Sequence, residues 1–257
     1  MVPMVAIVAL VTATTHTSAQ TILSNPTPFG KPNASTRSPI ETGHSSLLTP
    51  FADVVGDVRH LPSRDNLDWL AIGLAAALAT HPADAHIARN VEPGSRPFKA
   101  GAIIGGTPFE LSAAFATYAL GRSANSQRAM SVGRDLVRAQ LLSALITTGV
   151  KQSVRRSRPE GSGFSFPSGH TSMAFASATV IERHFGWKVG IPAYAVASYV
   201  AASRVEMRRH YLSDVTFGAA LGILAAHTVT VGPGHRFTLA PIATPDGAAA
   251  GVTWIGK

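Results

Sequence analysis

From about Phe51 onward, apolar segments of helical length alternate with short breaks of Gly, Pro and Arg. This spacing predicts helices, since half-buried strands would alternate apolar and polar positions with period two. Six are expected: Leu67–Thr80, Gly101–Leu120, Gln127–Val154, Gly169–Phe185, Val189–Met207 and Tyr211–Val231. Asn66 stands before the first as an N-cap, and Pro82 lies just past its end. Pro108 and Glu110 interrupt the second, which Gly121 closes. All six are rich in Ala and other small residues, which let helix axes approach closely in a bundle, in water or in lipid.

The two ends read differently. Val2 to Ala13 (VPMVAIVALVTA) is apolar but short of the roughly 20 residues of a membrane span. Small residues Thr17, Ser18 and Ala19 precede Gln20, so residues 1–19 read as a secretory signal, although no Lys or Arg precedes the apolar run. Residues 20–50, rich in Pro, Ser and Thr, read as a linker, and 51–231 as a helical domain. In 232–257, two β-prone runs flank Pro245-Asp246-Gly247, which predicts a C-terminal β-hairpin.

Composition narrows the chemistry. With 46% hydrophobic residues in a chain of 257, a packed core is expected and disorder is excluded as the dominant state. The absence of cysteine excludes disulfides and Cys-ligated metal centres. Lys and Arg number 22 against 14 Asp and Glu, for a net charge of +8. An anionic partner is implied, and the preponderance of Arg favours bidentate phosphate recognition. Nucleic acid is not expected, because basic and aromatic residues are not interleaved.

Three clusters between 151 and 214 carry the candidate chemistry. The first holds Lys151 and Arg158 seven positions apart, the second of them in the break that Pro159 enforces. By itself this could be a basic helix end compensating the dipole. The second is Pro167-Ser168-Gly169-His170, opening an apolar run. A helix start with free N–H groups and a capping hydroxyl is an anion site, and His170 in its first turn could pass a proton to bound phosphate. The third runs from Ser203-Arg204 to His210 and Asp214. Four apart on a continuous helix, His210 and Asp214 would share a face, the carboxylate fixing the imidazole tautomer.

The conjunction Lys-x6-Arg-Pro, Pro-Ser-Gly-His, Ser-Arg-x5-His-x3-Asp resembles the signature of the type 2 phosphatidic acid phosphatase superfamily, which also contains vanadium haloperoxidases and bacterial non-specific acid phosphatases. Every fixed position is present, and the resemblance covers about residues 65 to 231. It implies an all-α six-helix bundle and a metal-independent phosphatase acting on a phosphate monoester or pyrophosphate, most naturally a lipid phosphate. It further implies that Lys151, Arg158 and Arg204 hold the phosphate oxygens, with Ser168 and the backbone N–H of Gly169. His210 would be the nucleophile forming a phosphohistidine, Asp214 its orienting partner, and His170 the acid for the leaving group.

No cofactor or metal is expected, unless the chain is instead a haloperoxidase holding vanadate in the same cradle. A soluble non-specific acid phosphatase is a further alternative, and a non-catalytic phospholipid-binding protein ranks last because both histidines are present. Arg155, Arg156, Arg208 and Arg209 match no fixed position and are expected to be solvated or to face a headgroup. His81, His86, His184 and His227 are expected to be structural or surface residues. The signal and the family together imply an exported protein, periplasmic or associated with the inner membrane, with its site facing the periplasm. Val189–Ser203 and Val215–Val231, at or below span length, pull the other way.

Overall fold

The computed structural model describes residues 47–94 and 96–230, with the backbone of two strands beyond them. The signal segment and nearly all of the linker lie outside the described residues. Nine α-helices are present among the described residues: α1 Thr49–His60, α2 Arg64–Thr80, α3 Asp84–Asn90, α4 Lys99–Ile104, α5 Thr107–Ser123, α6 Gln127–Val154, α7 Gly169–Phe185, α8 Trp187–Glu206 and α9 Leu212–Thr230. The strands β1 Arg236–Thr244 and β2 Gly247–Ile255 pair antiparallel, with Thr244 opposite Gly247.

The count of nine corrects the six read from periodicity. Gly101–Leu120 is two helices, because Gly106 is extended (ψ 137°) and Pro108 starts a new helix after it. Gly105, in this break, packs so closely that a Cβ there would lie 2.3 Å from Val200 Cγ1 and 3.4 Å from His170 Cβ. Helix α1 docks through Val58, which packs against the main apolar core, and through ion pairs. Asp53 meets Arg134 at 2.7 Å, and the buried Asp57 accepts two bonds from Arg138. The cap of α2 is also corrected: Ser63 Oγ accepts from Asn66 N at 3.2 Å, while the Asn66 side chain donates to the carbonyls of His60 and Leu61.

Helix α7 packs between α6, α8 and α9, and α9 also packs on α2 and α6. The main apolar core joins Val132, Val137 and Leu142 of α6, Ala176 and Val180 of α7, and Ala225 and Val229 of α9. Helices α7 and α9 touch backbone to backbone. A Cβ at Gly222 would lie 2.1 Å from the Ser172 carbonyl oxygen, and one at Gly218 would lie 2.6 Å from that of Ser168. Only glycine permits this approach, and it brings the start of α9 against the start of α7.

Candidate active site

The site is assembled where α6 and α8 end and α7 and α9 begin. Helix α6 stops because Arg155 turns left-handed at φ 51°, and the chain returns through a loop to Ser168. Within that loop the Phe164 carbonyl accepts from Lys151 Nζ at 3.4 Å and from Arg158 Nε at 3.2 Å, so the two cations converge on one point. Ser168 caps α7, its hydroxyl oxygen accepting from Thr171 N at 3.5 Å and Thr171 Oγ1 at 3.0 Å. Its own N–H donates to the Asp214 carbonyl at 3.0 Å, tying the two helix starts together. The first-turn N–H groups of α7, that of Gly169 among them, need partners from outside the helix.

Arg204 lies in the last turn of α8 and is buried. Its carbonyl accepts from the N–H groups of Arg209 and His210, at 3.1 and 3.2 Å, which folds the chain back on itself. Its Nε has no hydrogen-bond partner among the described residues. His210 is 3% exposed, and its Nδ1 faces Asp214 Oδ2 at 3.7 Å, an ion-pair separation rather than a formed hydrogen bond. Because α9 starts only at Leu212, this pair does not share a helical face as the spacing suggested. His210 precedes the helix, and Asp214 in the first turn accepts from Tyr211 N at 2.8 Å.

The site holds more positive charge than it neutralises. Burial, then the Arg158 charge, with Arg204 a smaller contributor, brings Lys151 down to about 8 despite Asp214. Burial followed by Arg204, His210 and Lys151 pushes His170 down to about 4. His210 is likewise lowered by burial, while Asp214 pulls the other way. Arg204 falls to about 10 through burial and the charges of Arg209 and Arg158. Mutual depression of buried cations means that an anion entering among them would be strongly favoured. Two carboxylates stand nearby: Asp214, and Glu160, which pairs with Arg209 and sits 3.7 Å from Arg158.

The eight sequence-derived residues therefore fall at these four helix ends or, for Arg158, in the loop between α6 and α7. Arg156, expected to be solvated, is a correction. Its NH1 donates to Asp214 Oδ1 and to Ser213 Oγ, both at 2.8 Å. No linear signal marks this, because the partners lie more than fifty positions away and Arg156 holds no motif position. Of the four histidines read as structural, His227 stacks on Trp69 and contacts Arg183, and His184 pairs with Asp135 at 2.9 Å.

Residues 147–237 match the model of the PAP2 superfamily. The chain carries a PAP2 superfamily domain. All eight residues fall inside the matched segment. The chain is 40% identical over 94 residues to a lipid A 1-phosphatase of Porphyromonas gingivalis, covering 35% of this chain and 21% of that protein. It is 33% identical over 79 residues to a probable diacylglycerol pyrophosphate phosphatase of Schizosaccharomyces pombe, covering 25% and 28%. A lipid A 4'-phosphatase of Helicobacter pylori is 38% identical over 53 residues, covering 21% and 27%. The chain thus spans only about a fifth to just over a quarter of these curated relatives.

Among solved structures, Aquifex aeolicus LpxE matches with a TM-score of 0.42 and 22% identity, over 50% of this chain and 80% of that one. A transmembrane PAP2-type phosphatidylglycerolphosphate phosphatase from Bacillus subtilis matches with a TM-score of 0.45 and 21% identity, over 72% and 94%.

Proposed function

We propose that this PAP2 domain is a metal-independent lipid phosphatase that hydrolyses a phosphate monoester or pyrophosphate through a phosphohistidine. The observation that carries the reading is the convergence of Lys151 and Arg158 on the Phe164 carbonyl, with the buried Arg204 and the buried His210–Asp214 pair, beside the capped start of α7. Phosphoryl transfer needs charge compensation on the equatorial oxygens, an in-line nucleophile and an acid for the leaving group.

Lys151, Arg158 and Arg204 bind the phosphate oxygens, assisted by the Ser168 hydroxyl, the Gly169 N–H and the positive end of α7. Nδ1 of His210 faces Asp214, which leaves Nε2 to attack phosphorus. The N–P bond forms as the P–O bond to the leaving group breaks, and His170 gives that oxygen its proton. Water then attacks the phosphohistidine with its proton passing to His170, releasing inorganic phosphate and free His210.

The lipid part of the reading is supported by the relatives' names and by two surface features. Leu67, Leu70, Leu74 and Leu78 form an exposed apolar ridge on α2, and Trp187 and Ile191 are exposed at the start of α8. A cavity of about 650 Å³ between α8 and α9, lined by Phe98, Phe175, Ala201, Val205, Leu212 and Val215, would accept an acyl chain. That ridge supports association with a membrane; α9 is the one described helix long and apolar enough to span, but 61% of its apolar window is buried inside the protein.

The test is hydrolysis of p-nitrophenyl phosphate and of lipid phosphates in mixed micelles, with trapping of the enzyme by an alkaline detergent quench. We expect an acid-labile phosphoenzyme in the wild type, and neither that species nor turnover in His210→Ala. Normal turnover in His210→Ala removes the mechanism, and vanadate-dependent halide oxidation without ester hydrolysis replaces the function.

A further inference from the structure

Asp214 is held from two sides by groups that never reach the phosphate pocket. Its Oδ2, which faces His210, accepts from Tyr211 N, while its Oδ1 accepts from Arg156 NH1 at 2.8 Å. The Arg156 guanidinium is fixed in turn. Its other nitrogen donates to Asp84 Oδ2 at 2.9 Å, and its carbon lies 3.9 Å from the centre of the Tyr211 ring. Asp84, buried at the start of α3, also accepts from Ser213 N at 2.9 Å and from Ser213 Oγ. One carboxylate from a distant helix thus fixes both the residue before Asp214 and the arginine that grips Asp214.

We infer that Arg156 and Asp84 are positioning residues that set the plane of the Asp214 carboxylate and, through it, the ring of His210. A guanidinium bridging two carboxylates through separate nitrogens holds both in one geometry, which a point charge cannot do. With Oδ1 committed to Arg156, Oδ2 is the oxygen left to face His210, 3.7 Å from its Nδ1, so one ring nitrogen alone is set toward the carboxylate. Without Arg156, the buried Asp214 would lose a counter-charge and the bond that sets its plane, while the phosphate-binding cations would be left in place.

The inference rests on the proposed phosphohistidine chemistry, and the experiment separates the two. Arg156→Gln, Arg156→Lys, Asp84→Asn, Asp214→Asn and the doubles Arg156→Gln/Asp214→Asn and Asp84→Asn/Asp214→Asn are made in the full chain. Turnover of p-nitrophenyl phosphate, inhibition by inorganic phosphate and the imidazole nitrogen NMR signals of His210 are measured.

Arg156→Gln should lower kcat on the order of 10- to 100-fold with KM and phosphate inhibition within about threefold, and Arg156→Lys should recover part of the loss. On the Asp214→Asn background, Arg156→Gln should cost no more than about twofold, because the two residues act in series. The His210 signals should change alike in Arg156→Gln and Asp214→Asn. A kcat within twofold of wild type, a loss confined to KM, or a full additional loss on Asp214→Asn would overturn the inference. Should Arg156→Gln fail to fold, the Asp84→Asn pair decides by the same criteria, full additivity counting against it. An inactive wild type, or an active His210→Ala, refutes the phosphatase reading. The NMR arm still judges the positioning role, which unchanged His210 signals in Arg156→Gln would refute.

Discussion

Binding of an anion at this site should draw in a proton, and His170 should carry most of it. In the anion-free protein, burial and the charges of Arg204, His210 and Lys151 hold this imidazole at about 4, against an ordinary value of 6.5. A bound dianion offsets those charges but leaves the burial in place. Complete recovery would be worth about 3.4 kcal/mol, at about 1.36 kcal/mol per pH unit, and this is the ceiling. At pH 6, protonation would then rise from about 1% to at most about 75%, and affinity would tighten by up to about thirtyfold between pH 8 and pH 5.

Sulfate is the suitable probe, since it does not titrate in that range. Calorimetry in two buffers of different ionisation enthalpy counts the protons directly. Uptake of a substantial fraction of one proton at pH 6 is expected, most of it lost in His170→Gln. The remainder belongs to His210, which is also depressed. Absence of uptake in the wild type, or equal uptake in His170→Gln, would refute the reasoning.

Other outcomes follow from the same geometry. Because Lys151 sits at about 8, its charge disappears as pH rises through that value. The kcat/KM profile should therefore fall on an alkaline limb there, and Lys151→Arg should move that limb upward; an unmoved limb assigns it elsewhere. Gly222→Ala would drive a methyl to within 2.1 Å of the Ser172 carbonyl oxygen. Overpacking of this kind costs about 1–3 kcal/mol. Thermal melting should show a Tm lower by about 2–4 °C per kcal/mol, and an unchanged Tm would mean that α9 can shift freely. If Lys151, Arg158 and Arg204 supply the charge compensation as proposed, hydrolysis should continue in excess chelator; loss of activity restored by a divalent ion would contradict this.

How much of this was legible in the chain depended on whether partners were near in sequence. The long helices α6 and α7 end where local signals say they should, at Val154 before the left-handed Arg155 and at Ser168 as cap. The motif residues were legible because their types and spacings are distinctive. Helix α1 was not, since Arg134 and Arg138, which pair with it, lie 81 positions away. Arg156 was misjudged for the same reason. An arginine in a basic run looks solvated until folding brings Asp84 from 72 positions before it and Asp214 from 58 after it. His210 and Asp214 were correctly paired by their spacing of four, yet on the wrong geometry, because periodicity did not show that the helix begins between them.

The glycine contacts between α7 and α9 divide the site into a fixed part and an adjustable part. Gly218 abuts the Ser168 carbonyl, and Ser168 N bonds the Asp214 carbonyl, so the separation of cap and dyad is measured backbone against backbone. No side chain lies between them to be lengthened or trimmed, and drift by substitution has no handle there. Arg158 and Glu160 ride instead on the loop from 155 to 168, whose ties are side-chain pairs and a short bridge from Ser157 to Phe164. Changes in substrate preference should therefore accumulate in that loop, whereas the spacing between Asp214 and the start of α7 stays constant across variants of this protein.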